Sequence, residues 1–396
     1  MKQLLKHIRG DRTIWALIAV LAIFSFMPIY SASVNLVNVT GGTAIGYLLK
    51  HVVLLLLGFA IIYGVHKIHY HYFSGGAVLM IPVVIVLLII TLAQGTTIGG
   101  TIASRWIRIP FVGIGFQTST LAGLVLMVYL ARYLAKNKHT KIIFKESLWK
   151  LWLPVGLILM LILPADFSTT AILFFMILIV AFIGGYPLKY IGFILGLGII
   201  FLAFFILIAK AFPDAMPNRV KTWESRIESF WEPSEKNDNY QVEKAKIAIA
   251  TGGTFGKGPG KSNQKNFLPQ SSSDFIYAII IEEYGLFGAL LIIFAYFWLL
   301  FRIFVAARKA STVFGELLVI GVGLPIIFQA CINMAVATDL FPVTGQTLPL
   351  ISSGGTSIWM TCFAVGMILS VSASKEETEA SILDEHPLDI LHETIN

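Results

Sequence analysis

The sequence predicts an all-α polytopic membrane protein with about ten transmembrane helices, and three observations support this prediction. Hydrophobic residues make up 57% of the 396 residues and charged residues only 13%, whereas soluble proteins average about 25% charged residues. Apolar runs of about 20 residues, the length needed to span a membrane, recur along the chain. The basic residues gather in alternate loops, which is the pattern that orients membrane helices.

Ten apolar runs are predicted to be the transmembrane helices. They lie at 14–32, 47–65, 76–92, 114–135, 148–163, 169–186, 188–212, 275–301, 313–337 and 355–371. The first run follows a basic N-terminus and resembles a signal peptide, but its length and the runs after it favour a membrane helix. The two cysteines, Cys331 and Cys362, lie inside apolar runs and therefore indicate no disulfide framework.

Lysine and arginine in the short loops predict the orientation of these helices. One set of loops carries Lys2, Lys6, Arg9, Arg12, Lys67, Lys136, Lys138, Lys141, Lys145, Lys189, Arg302, Arg308, Lys309 and Lys375. The opposite loops, apart from the polar segment 213–273, carry only Arg105 and Arg108. Because basic loops stay in the cytoplasm, both termini are predicted to be cytoplasmic.

The same rule places the segment 213–273 outside the cytoplasm, as one large loop between the seventh and eighth spans. Three further polar segments, 103–115, 163–170 and 338–355, fall on the same side. We therefore expect one membrane domain over 1–373 with its polar residues gathered at the outer face. The acidic and polar stretch 374–396 is predicted to be a flexible cytoplasmic tail.

Asp274 stands where the eighth span begins, directly after the polar segment. One interpretation is a helix cap, because Ser and Asp are favoured there and the helix dipole stabilises a carboxylate. The other is a general base at the membrane surface that takes a proton from an acceptor hydroxyl.

Glu282 and Glu283 lie inside the apolar part of the same span. An ionisable group at that depth is costly and indicates function by default. A buried, hydrogen-bonded structural pair is the alternative.

Arg105, Trp106 and Arg108 form a second candidate site in an outer loop. On a helix the two arginines would share a face and could bind a pyrophosphate through their guanidinium groups. The alternative is anchoring at the membrane interface, which is common for Trp and Arg.

Three other segments are candidates for substrate contact. Asp166 lies in a short outer turn, where its simplest role is to cap the sixth span. The glycine-rich stretch 252–260, with Lys257, Lys261 and Lys265 in and after it, suits phosphate contact or is simply a mobile surface loop. The stretch 341–357 contains Ser352 and Ser353 and is irregular at membrane depth, which is tolerated only inside a protein or along a cavity.

Several motifs in this order resemble the SEDS family (shape, elongation, division and sporulation), whose members include FtsW, RodA and SpoVE. They are "YSAS" at 30–33, "SRWIRI" at 104–109, "ADFSTTA" at 165–171, "KSNQKNFLPQSSSDFIYAIIIEEYGLFG" at 261–288 and "NMAVATDLFPVTGQTLPLISSGGTS" at 333–357. The resemblance covers most of the chain, and the wording of the last two motifs is most similar to the FtsW branch, which acts in division.

The resemblance implies a peptidoglycan glycosyltransferase that polymerises lipid II at the outer face of the bacterial cytoplasmic membrane. It assigns the catalytic aspartate to Asp274 and a functional role to Trp106. Arg105, Arg108 and the loop lysines then become candidates for binding the leaving pyrophosphate, a task that a divalent cation could share, although no metal-ligand cluster is visible. The implied partners are a class B penicillin-binding transpeptidase and other division membrane proteins at the septum, and no nucleic acid.

The chain departs from the family at the fourth span. The family usually reads "QPSELAKL" there, whereas this chain reads "QTSTLAGL", so that Thr120 replaces the acid and Gly123 the lysine. Asp339 also stands where a small or basic residue is usual. Three alternative functions remain open at this point: a lipid II flippase or other transporter, a RodA-type elongation polymerase, and a non-catalytic division scaffold.

Overall fold

The computed structural model describes residues 9–94, 97–98, 101–102, 106–108, 115–211, 223, 226, 230, 240–268 and 270–385. These residues form a helical bundle with two small antiparallel strand pairs. The helices are α1 (Arg12–Thr40), α2 (Ala44–Val65), α3 (His71–Gln94), α4 (Thr118–Lys136), α5 (Phe144–Ser147), α6 (Leu153–Ile162), α7 (Phe167–Ile183), α8 (Leu188–Ala211), α9 (Tyr240–Gly252), α10 (Ile276–Arg308), α11 (Val313–Ala337) and α12 (Thr356–Glu385).

Eight helices within the described residues are long and apolar enough to cross a membrane. They are α1, α2, α3, α4, α8, α10, α11 and α12, at the positions of predicted spans one to four and seven to ten. The sixth predicted span corresponds to α7, which is apolar but has only 17 residues. These helices and their composition agree with a polytopic membrane protein.

The fifth predicted span is not one regular α-helix. A π-helical turn, Leu148–Trp152, separates α5 from α6, and a proline lies at the start of α6. Pro154 has no N–H to donate and its ring crowds the preceding turn. The wider turn before it is therefore where the helical ladder changes register.

The prediction of a purely α-helical fold was incomplete. Short strands β1 (Thr97–Ile98) and β2 (Thr101–Ile102) pair with each other, as do β3 (Trp106–Arg108) and β4 (Gly115–Gln117). Both pairs lie between α3 and α4, in a segment that contains five Ile and three Thr. These residue types favour the extended backbone, and glycines in the same segment allow the chain to turn back.

The last helix is longer than the sequence suggested. The flexible tail was expected from residue 374, but α12 continues through Glu385. After Lys375 the helix contains four glutamates and one alanine up to Glu385. Ala and Glu are good helix formers, so the helix continues beyond its apolar part. Residues 386–396 of the predicted tail lie outside the described residues.

The centre of the bundle is formed by α11 and α12. In their most apolar windows 67% and 72% of the residues are buried, compared with 6% in α8, which therefore lies at the periphery. The apolar residues that remain exposed on outer helices are the expected surface of a protein surrounded by hydrocarbon. Buried caps fix the helix ends, as at Asp11, which accepts from the backbone N–H of Thr13 at 2.9 Å and pairs with Arg302.

Candidate active site

A cavity of about 940 Å³ lies among α2, α4, α7, α11 and the start of α12. This volume is typical of sites that enclose a small molecule or the head of a larger one. Its polar wall is formed by Lys50, His51, Trp106, Gln117, Ser119, Thr120, Thr169, Arg226, Gln270, Ser272, Ser273, Asp274, Gln329, Gln346, Thr347 and Ser353. Its apolar wall includes Leu124, Met127, Ile172, Leu173, Met176, Val322, Pro325 and Ile326.

Three of the residues predicted to form the site meet at this cavity. Asp274, Trp106 and Ser353 all line it, although they come from segments far apart in the sequence. Thr120 and Gly123, where the chain departs from the usual family motif, line it as well. The remaining predicted residues with described side chains are not among the lining residues.

Asp274 precedes α10 rather than capping it. The N-cap of α10 is Phe275, so Asp274 belongs to the turn before the helix. This turn starts at Gln270, whose φ of +60° lies in the left-handed region. The hydroxyl of Ser273 lies 3.0 Å from Oδ1 of Asp274 and 2.9 Å from Oε1 of Gln270. The carboxylate is half-buried and lies at the cavity wall.

Three long-range hydrogen bonds fix the backbone of this turn. Nδ2 of buried Asn333 donates to the carbonyl of Asp274 at 2.8 Å and to that of Gln346 at 2.7 Å. The hydroxyl of Ser352 donates to the carbonyl of Ser273 at 2.6 Å. The backbone N–H of Ser353 donates to the carbonyl of Ser272 at 2.8 Å.

We call Asn333, Ser352 and Ser353 the turn clamp. They join the 270–274 turn to α11 and to the loop before α12, so that the position of Asp274 is determined by elements distant in sequence. Ser352 is buried, and its hydroxyl also accepts from the backbone N–H of Leu348 at 2.7 Å. Its observed contacts are therefore with the protein, whereas Ser353 is exposed at the cavity.

Trp106 reaches the cavity from a strand. Trp106 pairs with Gln117 across the β3–β4 ladder. The Trp106 ring packs over Gly115, where an added Cβ would lie only 3.1 Å from the ring. The backbone N–H of Gln117 donates to Oγ1 of Thr356 at 3.2 Å, which attaches this strand pair to the start of α12. Residues 106–108 have an extended backbone rather than a helical one. Arg105 and the side chain of Arg108 lie outside the described part of the chain.

Glu282 and Glu283 are fully buried and hydrogen-bonded within the protein. Oε1 of Glu282 lies 2.6 Å from Nζ of Lys257 and accepts from the backbone N–H of Asn263 at 3.1 Å. Oε1 of Glu283 accepts from the hydroxyl of Ser31 and from the backbone N–H of Ser262 at 3.3 Å. These contacts anchor the end of the long loop to α10, and neither glutamate is among the described residues that line the cavity.

The glycine-rich stretch packs backbone to backbone against a break in α10. Gly256 has φ +78°, and a Cβ on it would lie 2.2 Å from the carbonyl oxygen of Glu283. Gly285, with φ +67°, interrupts α10, and a Cβ there would lie 2.3 Å from the carbonyl oxygen of Thr254. Only glycine permits both this backbone conformation and this close approach.

Two amides of this stretch, and the side chains of Lys257 and Lys265, likewise contact the protein. The backbone N–H groups of Lys257 and Gly258 donate to the carbonyls of Glu282 and Glu283 at 2.9 Å each. Nζ of Lys265 donates to the carbonyl of Gly260 at 2.6 Å. Lys257, Lys261 and Lys265 are not among the described residues that line the cavity, so a substrate contact by them would lie elsewhere.

Asp166 forms the cap expected of it. Its side chain is buried and accepts from the backbone N–H of Thr169 at 3.1 Å at the start of α7. Oγ1 of Thr169 in turn accepts from Nε2 of Gln346 at 2.9 Å, and both of these residues line the cavity. Asp166 thus shapes the cavity wall without reaching it.

Several residues of the cavity wall were not predicted from the sequence, above all Lys50, His51 and Arg226. Lys50 and His51 lie in α2, inside an apolar run whose average hydropathy concealed them. A Lys–His pair within that run was the signal available. Arg226 comes from the long loop and donates through Nη1 to the carbonyl of Val343 at 3.3 Å. Among the described lining residues, Lys50 and Arg226 carry positive charge and Asp274 carries the carboxylate.

The cavity can therefore hold an amphiphile whose polar head meets one carboxylate and two cations, and whose apolar part lies along α4, α7 and α11. Within the described ranges, no group of three or more His, Cys, Asp and Glu side chains is arranged to hold a metal ion.

Comparison with known proteins shows the relationships of the chain. The family model of the FtsW, RodA and SpoVE proteins, described as "Cell cycle protein", matches residues 11–377. A Thioalkalivibrio sulfidiphilus protein named "Probable peptidoglycan glycosyltransferase FtsW" is 32% identical over 88% of this chain and 86% of its own length. An Escherichia coli protein of the same name is 31% identical over 91% of this chain and 85% of its own length.

Solved structures share the fold. A chain from work described as "Structural coordination of polymerization and crosslinking by a peptidoglycan synthase complex" superposes with a TM-score of 0.72, at 24% identity over 92% of this chain and 98% of the other. The rod shape determining protein RodA of Thermus thermophilus superposes with a TM-score of 0.65, at 23% identity over 92% and 97% of the two chains. With the family model covering nearly all of its length, the chain belongs to the FtsW/RodA/SpoVE family of cell cycle proteins.

Proposed function

We propose that this multi-pass membrane protein is a peptidoglycan glycosyltransferase that polymerises lipid II, with Asp274 as the general base. Relatives that are 31% and 32% identical over most of the chain are named probable peptidoglycan glycosyltransferases, which supports the activity. The observation that carries the catalytic assignment is the placement of Asp274. It is the one carboxylate among the described residues that line the large cavity, and the turn clamp fixes its backbone.

The proposed reaction is an inverting glycosyl transfer. A carboxylate oxygen of Asp274 takes the proton of the acceptor GlcNAc 4-hydroxyl as that oxygen attacks C1 of the donor MurNAc. The new C1–O4 bond forms while the bond from C1 to the pyrophosphate oxygen breaks, and the electron pair leaves with undecaprenyl pyrophosphate. This leaving group needs nearby positive charge more than it needs a proton.

Fixed geometry is what the fold supplies to this reaction. A base acts only within hydrogen-bond distance of the proton it removes. The bonds from Asn333, Ser352 and the backbone of Ser353 hold the turn that carries Asp274. The apolar side chains of α4, α7 and α11 give the lipid part of the substrate a surface inside the bundle.

We further propose that the membrane domain has ten spans, with both termini in the cytoplasm and the 213–273 segment on the outer face. The basic loops at 136–150 and 302–309 support this orientation. Single cysteines placed at Lys138 and Lys261, in a variant with Cys331 and Cys362 replaced, should react with an impermeant thiol reagent from opposite sides. Reaction of both from the same side would overturn the orientation.

A class B penicillin-binding transpeptidase is the partner we propose, acting with other division proteins at the septum of the cytoplasmic membrane. One structural neighbour comes from work on a complex that coordinates polymerization and crosslinking. The greater similarity of the motifs to FtsW, together with relatives of that name, favours division over elongation. Septal localisation of a fluorescent fusion supports this role, and recruitment to the side wall would indicate elongation.

Purified protein with labelled lipid II, with and without the transpeptidase, tests the activity. Wild type should form glycan strands, and Asp274→Asn should lower the rate by about 10²- to 10⁴-fold, the usual contribution of a general base. Glu243→Gln is the matched control, because this exposed carboxylate pairs with Lys244 outside the cavity and should keep full activity.

The alternatives give different results in this assay. Transport of lipid II across vesicle membranes without glycan formation would indicate a flippase. Inactivity of both wild type and Asp274→Asn in the presence of the partner would indicate a scaffold. An Asp274→Asn variant with wild-type rate would remove Asp274 from the mechanism while leaving the family assignment intact.

A further inference from the structure

We propose that Lys50 binds the pyrophosphate of the polyprenyl-linked substrate inside the cavity. This inference rests on the proposed function and assigns a residue to binding of the leaving group. The residue lies in a helix for which the sequence predicted no site residue. The chemistry recognised is a pyrophosphate ester, through an ammonium group at the cavity wall.

The position of Lys50 is the first observation. It lies in α2, which starts after its N-cap Thr43, and its side chain is exposed and lines the same cavity as Asp274. The rest of α2 is almost entirely apolar. A cation within a membrane-spanning helix is costly and is retained where it faces a polar cavity or a partner.

The second observation is that Lys50 has no partner within the described part of the protein. Among the described residues, Lys50 forms no ion pair and no side-chain hydrogen bond, whereas Lys257 pairs with Glu282 and Arg302 pairs with Asp11. An ammonium group at the cavity that the described protein groups leave unmatched is suited to an anionic ligand.

The part of the wall formed by α4 is the third observation. There α4 presents Thr120 and Gly123, which carry no charge, and the hydroxyl of Thr120 donates to the carbonyl of Gln117 at 2.8 Å. Arg226 approaches from the long loop and already donates to the carbonyl of Val343. Among the described residues on the helices that line the cavity, Lys50 of α2 is therefore the cation available to the pyrophosphate.

Binding measurements separate this role from catalysis. Each protein carries Asp274→Asn to prevent turnover and is held in nanodiscs of zwitterionic lipid. The probes are polyprenyl pyrophosphate, the matching polyprenol, and inorganic pyrophosphate as a competitor. Lys50→Met should weaken binding of polyprenyl pyrophosphate at least about tenfold, the effect of losing a hydrogen bond between charged groups. Lys50→Arg should remain within about threefold, because it keeps the charge.

Two comparisons exclude a general loss of structure. Lys50→Met should bind the uncharged polyprenol as tightly as its parent does. Lys244→Met, which removes a half-buried lysine outside the cavity, should leave all three probes unaffected. If Lys50→Met does not fold, Lys50→Gln takes its place with the same expectations.

The outcomes are decisive in either direction. Competition by inorganic pyrophosphate that disappears in Lys50→Met would show a site for pyrophosphate itself, whereas an effect confined to polyprenyl pyrophosphate would show a site for the lipid headgroup. Either result supports Lys50. The inference is overturned if Lys50→Met binds polyprenyl pyrophosphate like its parent, or if it loses polyprenol equally. Polymerisation by the wild type is measured separately, so that a failure of the proposed function would be recognised on its own.

Discussion

Replacement of Asn333 by alanine tests whether the turn clamp positions Asp274. The Asn333 side chain is buried, and its Nδ2 donates at 2.8 Å to the carbonyl of Asp274 and at 2.7 Å to that of Gln346. Alanine removes both bonds and leaves two carbonyl oxygens without this donor. At about 1–2 kcal/mol for each group, the variant should lose about 2–4 kcal/mol of stability.

A loss of stability alone would leave the kcat of the folded protein unchanged, whereas a displacement of Asp274 would lower it. A displacement of about 1 Å in a catalytic group lowers a rate by about 10²-fold. We therefore expect the polymerisation kcat of Asn333→Ala to fall about 10- to 100-fold, with the KM for lipid II changed by less than about threefold. The smaller change in KM follows because Asn333 is not among the described residues that line the cavity.

The assay combines thermal unfolding in detergent with initial polymerisation rates over a range of lipid II concentrations. Asn137→Ala is the matched control, since Nδ2 of Asn137 donates to the carbonyl of Tyr133 at 2.7 Å at the far end of α4. That variant should keep the wild-type kcat. If Asn333→Ala is destabilised but polymerises at the wild-type kcat, the clamp stabilises the fold without positioning Asp274, and the reasoning fails.

Two further predictions concern the loop that packs on α10. Gly256→Ala should lower the unfolding temperature much more than Gly253→Ala, because both have positive φ but only at Gly256 would a Cβ meet backbone, at 2.2 Å. Glu282→Gln should weaken the bond to Lys257 and speed proteolysis within 253–265, at a cost of about 1–3 kcal/mol. A change in the KM for lipid II without faster proteolysis would instead support Glu282 as a substrate contact.

The sequence pattern predicted a helix well where polar residues lie at both ends of an apolar run. The bounds predicted for α11, 313–337, are those of the structure, because Thr312 caps the helix by accepting from the backbone N–H of Gly315 at 3.1 Å. The fifth span was less regular than predicted because its apolar composition does not reveal the register change before Pro154.

The composition of the cavity was harder to predict because it depends on contacts between distant residues. Asn333 and Asp274 are 59 positions apart, and no local pattern relates them. Lys50 was overlooked because a hydropathy average over a whole span is scarcely changed by one lysine. For Glu282 and Glu283, depth in an apolar run indicated function, but only the folded loop shows the amide groups that they bind.

The interruption at Gly285 also determines which part of α10 must match the thickness of the bilayer. All of α10, Ile276–Arg308, would extend about 50 Å at 1.5 Å per residue, well beyond a hydrocarbon layer of about 30 Å. The portion after the break, 286–308, would extend about 34 Å and fits that layer with a modest tilt. With 286–308 as the spanning portion, we predict that Glu282 and Glu283 lie at the level of the lipid headgroups and that the length of 286–308 sets the height of Asp274 above the hydrocarbon.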